Sequence, residues 1–429
     1  MGATTRREIL PYVFLTHLET HKFKTGTIQI NLLTQLTRET AAKNAILPRI
    51  LRRGTARYPD LQALSQAMDA LYGANIEPTI RKKGEIQCVG FCASFVDDAC
   101  LPAGEQILEQ ITALLGEILL HPATQGGRLR TDYVEQEREN LLDEIRGRIN
   151  NKGSYAVSRL VELMCDGEDF ATFRLGTEQE AEEINTEALT AHYQNLLAAA
   201  PVEIFYCGSA SVDRVEQVLE KALEALPRSE PDYAMGTQIR LNALEATPRT
   251  FTEELDVTQG KLSLGFRLGD CLDDPNWAAI MLFHYLYGGS VNSKLFLNVR
   301  ERLSLCYYAS SILEKAKGLL LVASGIAFDK YDEAKSEILA QLRAIAAGEI
   351  TGEELLWAKK ALMTDLELTR DEPRQLEEFY LQQTILEVDY DLDDLIAMVG
   401  QVDVKEIVEI AQGVELDAVY FLKGEEVAS

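Results

Sequence analysis

At 429 residues the chain is too long for one ordinary domain and long enough for two or three, each with its own apolar core. A hydrophobic share of 46% beside 26% charged residues matches folded globular proteins and excludes a disordered or fibrous class. The formal net charge of −26, from 68 acids against 42 bases, creates a field that repels nucleic acid and anionic membrane surfaces, so neither is an expected partner.

Near the N-terminus, the alternation Thr25-Gly-Thr-Ile-Gln-Ile-Asn-Leu-Leu-Thr34 predicts a strand with one buried face. A helix is predicted over Ala41 to Arg53. Beyond Gly54, Asp60 can cap a second helix whose Leu61, Leu64, Met68 and Leu71 share one side, ending before Gly73. Two strands follow, Ala74 to Arg81 and Glu85 to Phe95, joined by a Lys-Lys-Gly turn. Helical patterns then run from Ala103 to Leu120, Thr131 to Arg148 and Thr186 to Ala199, the last leading into a strand at Val202 to Cys207.

The second half repeats this order. A strand at Lys261 to Phe266 precedes a helix after Pro275, a break at Gly288-Gly289 and a helix at Ser293 to Arg302. Strands at Leu305 to Ser311 and Leu319 to Ala327 come next, and helices at Tyr331 to Ala347 and Gly352 to Thr369 follow. The closing segments are alike too: Ala188-Leu-Thr-Ala-His-Tyr with Val202-Glu-Ile-Phe-Tyr-Cys-Gly208 is echoed by Glu406-Ile-Val-Glu-Ile-Ala with Ala418-Val-Tyr-Phe-Leu-Lys-Gly424. This pattern is an internal duplication. Three prolines and little periodicity mark the stretch from Pro227 to Pro248 as a linker, so the expected division is a domain at 1–226, a linker at 227–248 and a domain at 249–429. Strict βαβ alternation is missing, which favours two α+β domains, each with helices against a largely antiparallel sheet.

The string Leu286-Tyr-Gly-Gly-Ser-Val-Asn-Ser-Lys-Leu-Phe-Leu-Asn-Val-Arg-Glu-Arg-Leu-Ser-Leu-Cys-Tyr-Tyr-Ala-Ser310 resembles the insulinase (pitrilysin) family of zinc peptidases, and the duplicated unit extends that resemblance over nearly the whole chain. The opening His21-Lys-Phe-Lys-Thr-Gly-Thr-Ile28 is similar to small bacterial members that lack the zinc motif and occur beside an active paralogue, a type linked by name to modification of elongation factor P.

Active members of that family carry His-x-x-Glu-His on their first helix. Two histidines one turn apart reach a single tetrahedral zinc, and the Glu activates the bound water. Gly54-Thr55 and Tyr58-Pro59 set the register here, and the motif positions read Ala45, Pro48 and Arg49, with no ligand or base among them. Glu137 and Glu144 fit the acid and third-ligand positions of the later helix, seven residues apart on one face. Two readings of these acids stand together: solvated helix charges, or Glu144 paired with Arg49.

The resemblance assigns Arg300 and Tyr307 to substrate holding and oxyanion stabilisation, with Asn75 also among the substrate-binding positions. The bland alternative makes Tyr307 a half-buried strand aromatic and Arg300 a surface helix charge. His17-Leu-Glu-Thr-His21 offers two histidines and an acid, but an extended segment would hold them too far apart for one metal, and the acid has the wrong offset for either zincin order. His121, His192 and His284 stand alone. The seven cysteines, Cys88, Cys92, Cys100, Cys165, Cys207, Cys271 and Cys306, are never spaced C-x-x-C and read as small buried apolar residues.

These readings lead to a non-catalytic subunit without metal or other cofactor. An active insulinase-family paralogue would supply zinc, and the two chains would form a clamshell-like pair whose chamber holds unfolded peptide by adding it to a sheet edge, by position Ala74 to Arg81. Two alternatives remain: a zinc metalloendopeptidase with a displaced site at His17, His21 and Glu144, and a scaffold binding a folded protein such as a translation factor in elongation factor P modification. With no apolar run near ~20 residues and no signal-like apolar stretch after Met1, the expected location is cytoplasmic.

Overall fold

The computed structural model describes residues 4–102, 104–231, 235–269 and 277–424. Ala103, Cys271 and the expected helix start at Pro275 lie outside the described residues. The chain is α+β and forms two compact units. The first comprises Met1–Arg146, Thr172–Gly236 and Pro373–Leu381; the second comprises Gly147–Ala171, Thr237–Glu372 and Gln382–Ser429. The boundary read from the sequence places residues 147–171 in the first half, whereas in the structure their apolar face packs on the second sheet.

In the first unit, β1 (Thr4–Leu10) and β2 (Val13–Glu19) form a hairpin turning at Tyr12, whose φ is 61°. β3 (Thr25–Gln35) leads to α1 (Ala41–Leu51) and α2 (Leu61–Asp69), the latter capped by Asp60, whose carboxylate accepts from the Ala63 amide at 2.8 Å. β4 (Asn75–Lys83), β5 (Ile86–Val96) and α3 (Ile107–Leu120) follow. A small ribbon, β6 (Thr124–Gln125) with β7 (Arg128–Leu129), precedes α4 (Thr131–Gly147). The chain then contributes α5 (Lys152–Met164) to the second unit and returns through α6 (Glu178–Glu182), α7 (Thr186–Ala199), β8 (Val202–Gly208) and α8 (Val212–Ala222).

The second unit is built from β9 (Arg249–Leu255), β10 (Gly260–Arg267), α9 (Trp277–His284), β11 (Cys306–Glu314), β12 (Leu319–Ile326), α10 (Tyr331–Ala346) and α11 (Gly352–Thr369). α12 (Pro373–Leu386) begins in the first unit, and α13 (Leu392–Gln401), α14 (Val404–Gly413) and β13 (Glu415–Gly424) close the second. The sequence suggests an ordinary helix near Ser293; the structure has a π-helical segment there, Leu295–Arg302.

The duplication is explicit in the sheets. The first has the order β1-β2-β8-β3-β5-β4 and the second β11-β12-β10-β13-β9. Read from the edge strands β4 and β11, both run through two antiparallel partners to the closing strand and end with one parallel pair, β8 with β2 and β13 with β9. The first unit adds β1 as an outer strand.

Each sheet has two unlike faces because successive side chains on a strand point opposite ways. On β3, Ile28, Ile30 and Leu32 enter a core with Ile46 of α1 and Ile111, Leu115 and Ile118 of α3. The other face carries Gln29 and Asn31, both buried. On β10, Leu262, Leu264 and Phe266 are fully buried, and Phe266 meets Tyr287 edge-on at 6.5 Å. Its other face carries Gly265, where an added Cβ would lie 2.2 Å from Sδ of Met164, so a larger residue there would force the Met164 side chain of α5 to move. No helix among the described residues is long and apolar enough to cross a membrane.

Candidate functional site

The face of α1 aligned with the zinc motif is filled by packing and charge pairs. Ala45 and Pro48 are buried in the first core, and the helix continues through Pro48 to Leu51. After α1 the loop folds back, with the Tyr58 amide donating to Oγ1 of Thr55 at 2.9 Å and the Tyr133 hydroxyl donating to the Pro59 carbonyl at 2.9 Å. This ties α4 to the end of α1 and brings two acids of α4 against two arginines. Arg49 pairs with Glu144, and Arg53 pairs with Glu137 at 2.8 Å. The spacings match: Arg49 and Arg53 are four residues apart on one side, and Glu137 and Glu144 are two turns apart on the facing helix.

Glu137 is buried, which corrects its reading as a solvated acid; it also accepts from Nδ2 of Asn140 at 3.2 Å. The Arg53 guanidinium lies 5.0 Å from the Tyr133 ring centre. Glu144 does pair with Arg49, and Arg174 approaches its other oxygen at 3.6 Å. Zinc needs deprotonated imidazole, thiolate or carboxylate donors converging on one point. Here both carboxylates are held by guanidinium groups and the motif positions offer none, so these residues do not fit the metal. Among the described residues, no group of three or more His, Cys, Asp or Glu side chains is arranged to hold an ion.

The displaced site has no geometry to support it. His17 lies inside β2, stacked on Tyr206 with ring centres 5.2 Å apart, and its Nε2 is 2.9 Å from the Ala210 carbonyl oxygen. His21 stands exposed beyond the strand end. Burial pushes the His192 imidazole down to about 4, and its Nε2 sits 2.6 Å from Oδ1 of Asn44 in a neutral hydrogen-bonded arrangement. Cys100 is exposed, correcting its place among buried cysteines, while Cys88, Cys92, Cys165, Cys207 and Cys306 are buried. Burial pushes the Cys88 thiol up to about 12, so it is not a nucleophile at neutral pH.

In the second unit, Tyr307 is 70% exposed on edge strand β11, where a bulge between Cys306 and Tyr308 turns it outward; it is not a half-buried aromatic. Arg300, on the π-helical segment, lies 4.6 Å over the Phe296 ring and 3.6 Å from Glu301, with 39% of its side chain exposed. In the first unit, Asn75 is exposed at the start of edge strand β4 and donates to Oε1 of Glu77 at 2.7 Å. Ala45, Pro48, Arg49, Glu137 and Glu144 therefore gather at one place, whereas Asn75 begins the edge strand of the same unit, where Nε of Arg52 already donates to the Ile76 carbonyl at 2.8 Å. Sequence reasoning missed Arg53, although its spacing from Arg49 matches the two acids. Arg174 carried no local signal, because its loop reaches the site only through the tertiary fold.

Comparison with known proteins agrees with this geometry. The Peptidase M16 inactive domain family matches residues 183–362. The chain is 32% identical over 413 residues to a probable inactive metalloprotease, YmfF, of Bacillus subtilis, covering 96% of each chain. It is similar, at 28% identity with a TM-score of 0.89, to the crystal structure of a conserved protein from Enterococcus faecalis, covering 99% of this chain and 100% of that one. A peptidase M16 inactive domain from Pseudomonas fluorescens shares the fold with a TM-score of 0.80 at 15% identity, over 99% of both chains. A duplicated α+β unit, a zinc motif whose positions hold Ala45, Pro48 and Arg49, and a relative matched over 96% of each chain make the chain a member of the peptidase M16 (insulinase-like) family, as an inactive homologue.

Proposed function

We propose that this chain is a non-catalytic subunit that pairs with an active zinc-peptidase homologue and helps hold peptide. The observation that carries the reading is the contrast between a motif face closed by Arg49–Glu144 and Arg53–Glu137 and a Tyr307 left 70% exposed on edge strand β11. A peptide added to an edge strand takes its affinity from backbone hydrogen bonds, which accept many sequences. Tyr307 and Arg300 supply donors for a peptide carbonyl in this reading, and Asn75 stands exposed at the start of the edge strand of the first sheet. The partner supplies zinc, and a permanent pair of this kind buries on the order of 2,000 Å² or more in total.

The test is co-expression with a homologue carrying an intact His-x-x-Glu-His motif, followed by size-exclusion chromatography and a peptidase assay. A stable complex is expected, with Tyr307→Phe or Arg300→Ala lowering turnover by about 1 to 3 kcal/mol of transition-state stabilisation while assembly is unchanged. A chain that stays apart from the homologue, or a complex indifferent to both substitutions, would remove the partner-subunit reading and leave the protein-binding scaffold.

A further inference from the structure

Three guanidinium groups meet two carboxylates where α1 faces α4. Arg53 and Glu137 form a complete pair at 2.8 Å with Glu137 buried. Arg49 and Arg174 are left to share Glu144, which is 40% exposed. Arg49 hydrogen-bonds one oxygen, but Arg174 reaches the other only at 3.6 Å, outside hydrogen-bond range. The cluster is one negative charge short, in a chain whose net charge is −26.

The backbone that presents Arg174 is fixed from beneath. Gln87, buried on β5, donates to the Arg174 carbonyl at 2.7 Å and accepts from Nδ2 of buried Asn44 of α1 at 2.8 Å. Nζ of Lys82 donates to the Thr172 carbonyl at 3.1 Å, so the loop is tied to both neighbouring strands. The anchored backbone fixes where the Arg174 side chain starts, and its planar guanidinium fork loses less freedom per hydrogen bond formed than an ammonium would. Burial holds the Arg174 guanidinium below its ordinary pKa, and the charge of Arg49 pushes the same way against the attraction of Glu144. An added anion offsets the repulsion from Arg49, though not the burial.

We propose that Arg49 and Arg174 form a carboxylate-binding site for an acidic peptide, built on the face of α1 where active relatives place their metal motif. The carboxylate of Glu144, lying between the two guanidinium groups, already shows the ligand class: a planar group with two acceptor oxygens, which a guanidinium fork can meet with paired hydrogen bonds. A peptide brings such a group as a Glu or Asp side chain or as its chain terminus. The negative field of the whole chain opposes approach, but screening over ~8 Å at physiological ionic strength leaves the local cations in control at contact. That the ligand is a peptide rests on the function proposed above; the site itself is tested on the full chain alone.

The experiment is calorimetric titration with three acetylated peptides of equal length: one amidated with a central Glu, its Gln twin, and the Gln peptide with a free C-terminal carboxylate. Affinity for at least one carboxylate peptide is expected to exceed that for the amidated Gln peptide about tenfold, and which of the two gains identifies the carboxylate source. Arg174→Gln should abolish the preference, Arg128→Gln at an exposed pair with Glu187 should leave it intact, and Glu144→Gln should widen it by removing the competing internal anion. Misfolding cannot imitate substitutions that move affinity in opposite directions. Equal affinity for all three peptides, a preference that survives Arg174→Gln, or no gain in Glu144→Gln would each overturn the site. Turnover of a neutral peptide by the co-expressed complex reports on the pairing separately and is expected to be indifferent to Arg174→Gln.

Discussion

The two sheets share one strand order, yet the helices that cross onto them from the other half of the sequence combine apolar and charged contacts in different proportions. α5 lies on the second sheet through Ala156, Leu160 and Met164, packed against Leu319, Leu321, Ala418, Tyr420 and Leu422. The start of α12 stands over the polar face of the first sheet. Glu377 there takes two hydrogen bonds from Arg81, at 2.6 and 2.7 Å, and one from Asn31 at 3.0 Å. A charge cluster finishes the α5 attachment: Arg267 pairs with Asp417 at 2.9 Å and Glu168 at 2.7 Å, Lys317 with Glu168 at 2.8 Å, and Arg249 with Asp417 at 2.7 Å. A repeated topology thus dictates where a second layer is needed but not which forces attach it.

Substitutions can break this contrast, and the largest effect is expected at Asp417, which is fully buried between Arg267 and Arg249. Asp417→Asn leaves Arg249 without its anion and Arg267 sharing Glu168 with Lys317, and should cost about 3 to 5 kcal/mol, read as lost hydrogen-exchange protection in α5 and β10. Arg267→Met should cost less, because Lys317 still neutralises Glu168 and Arg249 still neutralises Asp417. An Arg267→Met effect as large as that of Asp417→Asn would mean that pairing geometry, not charge balance, governs the cluster.

Next comes Leu160→Ala, a fully buried truncation on α5, expected to cost about 3 kcal/mol by transfer and cavity terms and to loosen α5 alone. Glu377→Gln should loosen the start of α12 by only about 1 to 2 kcal/mol, since Glu378 remains 2.9 Å from Arg81 to take up its charge. Equal losses at Leu160 and Glu377 would erase the distinction between apolar and polar attachment.

The smallest effect is that of mild acid. Burial alone raises the Glu168 and Asp417 carboxyls, but hydrogen bonds from Arg267 and Lys317 to the first, and from Arg249 and Arg267 to the second, hold both below their ordinary values. A depressed carboxylate pKa stabilises the fold above the unfolded value and loses that contribution as pH falls through the folded one. Protection of α5 from carboxylate linkage should therefore be level between pH 7 and 5 and decline below about pH 4.

Much of this was legible because local pattern and local structure coincide. Leu64 and Met68 lie buried on α2 behind the Asp60 cap, and the alternation of β3 separates Ile28 and Ile30 from Gln29 and Asn31, as the sequence suggests. The crossing helices were not legible, since the stripe Ala156, Leu160 and Met164 states that α5 buries one face but not against which sheet. β2 escaped notice because Val13 to Glu19 contains polar Thr16 and His17, both buried by tertiary contacts that no short window contains. At the candidate site the loss of the zinc motif was readable from Ala45, Pro48 and Arg49. The two-rung pairing with Glu144 and Glu137 was only half readable, because it needs the antiparallel placement of α4 against α1.

The central claim is that buried packing and arginine–glutamate pairs occupy the face where the zinc motif aligns, and the most direct measurement is the zinc content of the purified full chain after equilibration with zinc, taken beside its cleavage of unfolded peptide. No stoichiometric zinc and no cleavage are expected, since Ala45, Pro48 and Arg49 remove two ligands and the base together. One zinc per chain, with cleavage that a chelator and His17→Ala both abolish, would contradict the account.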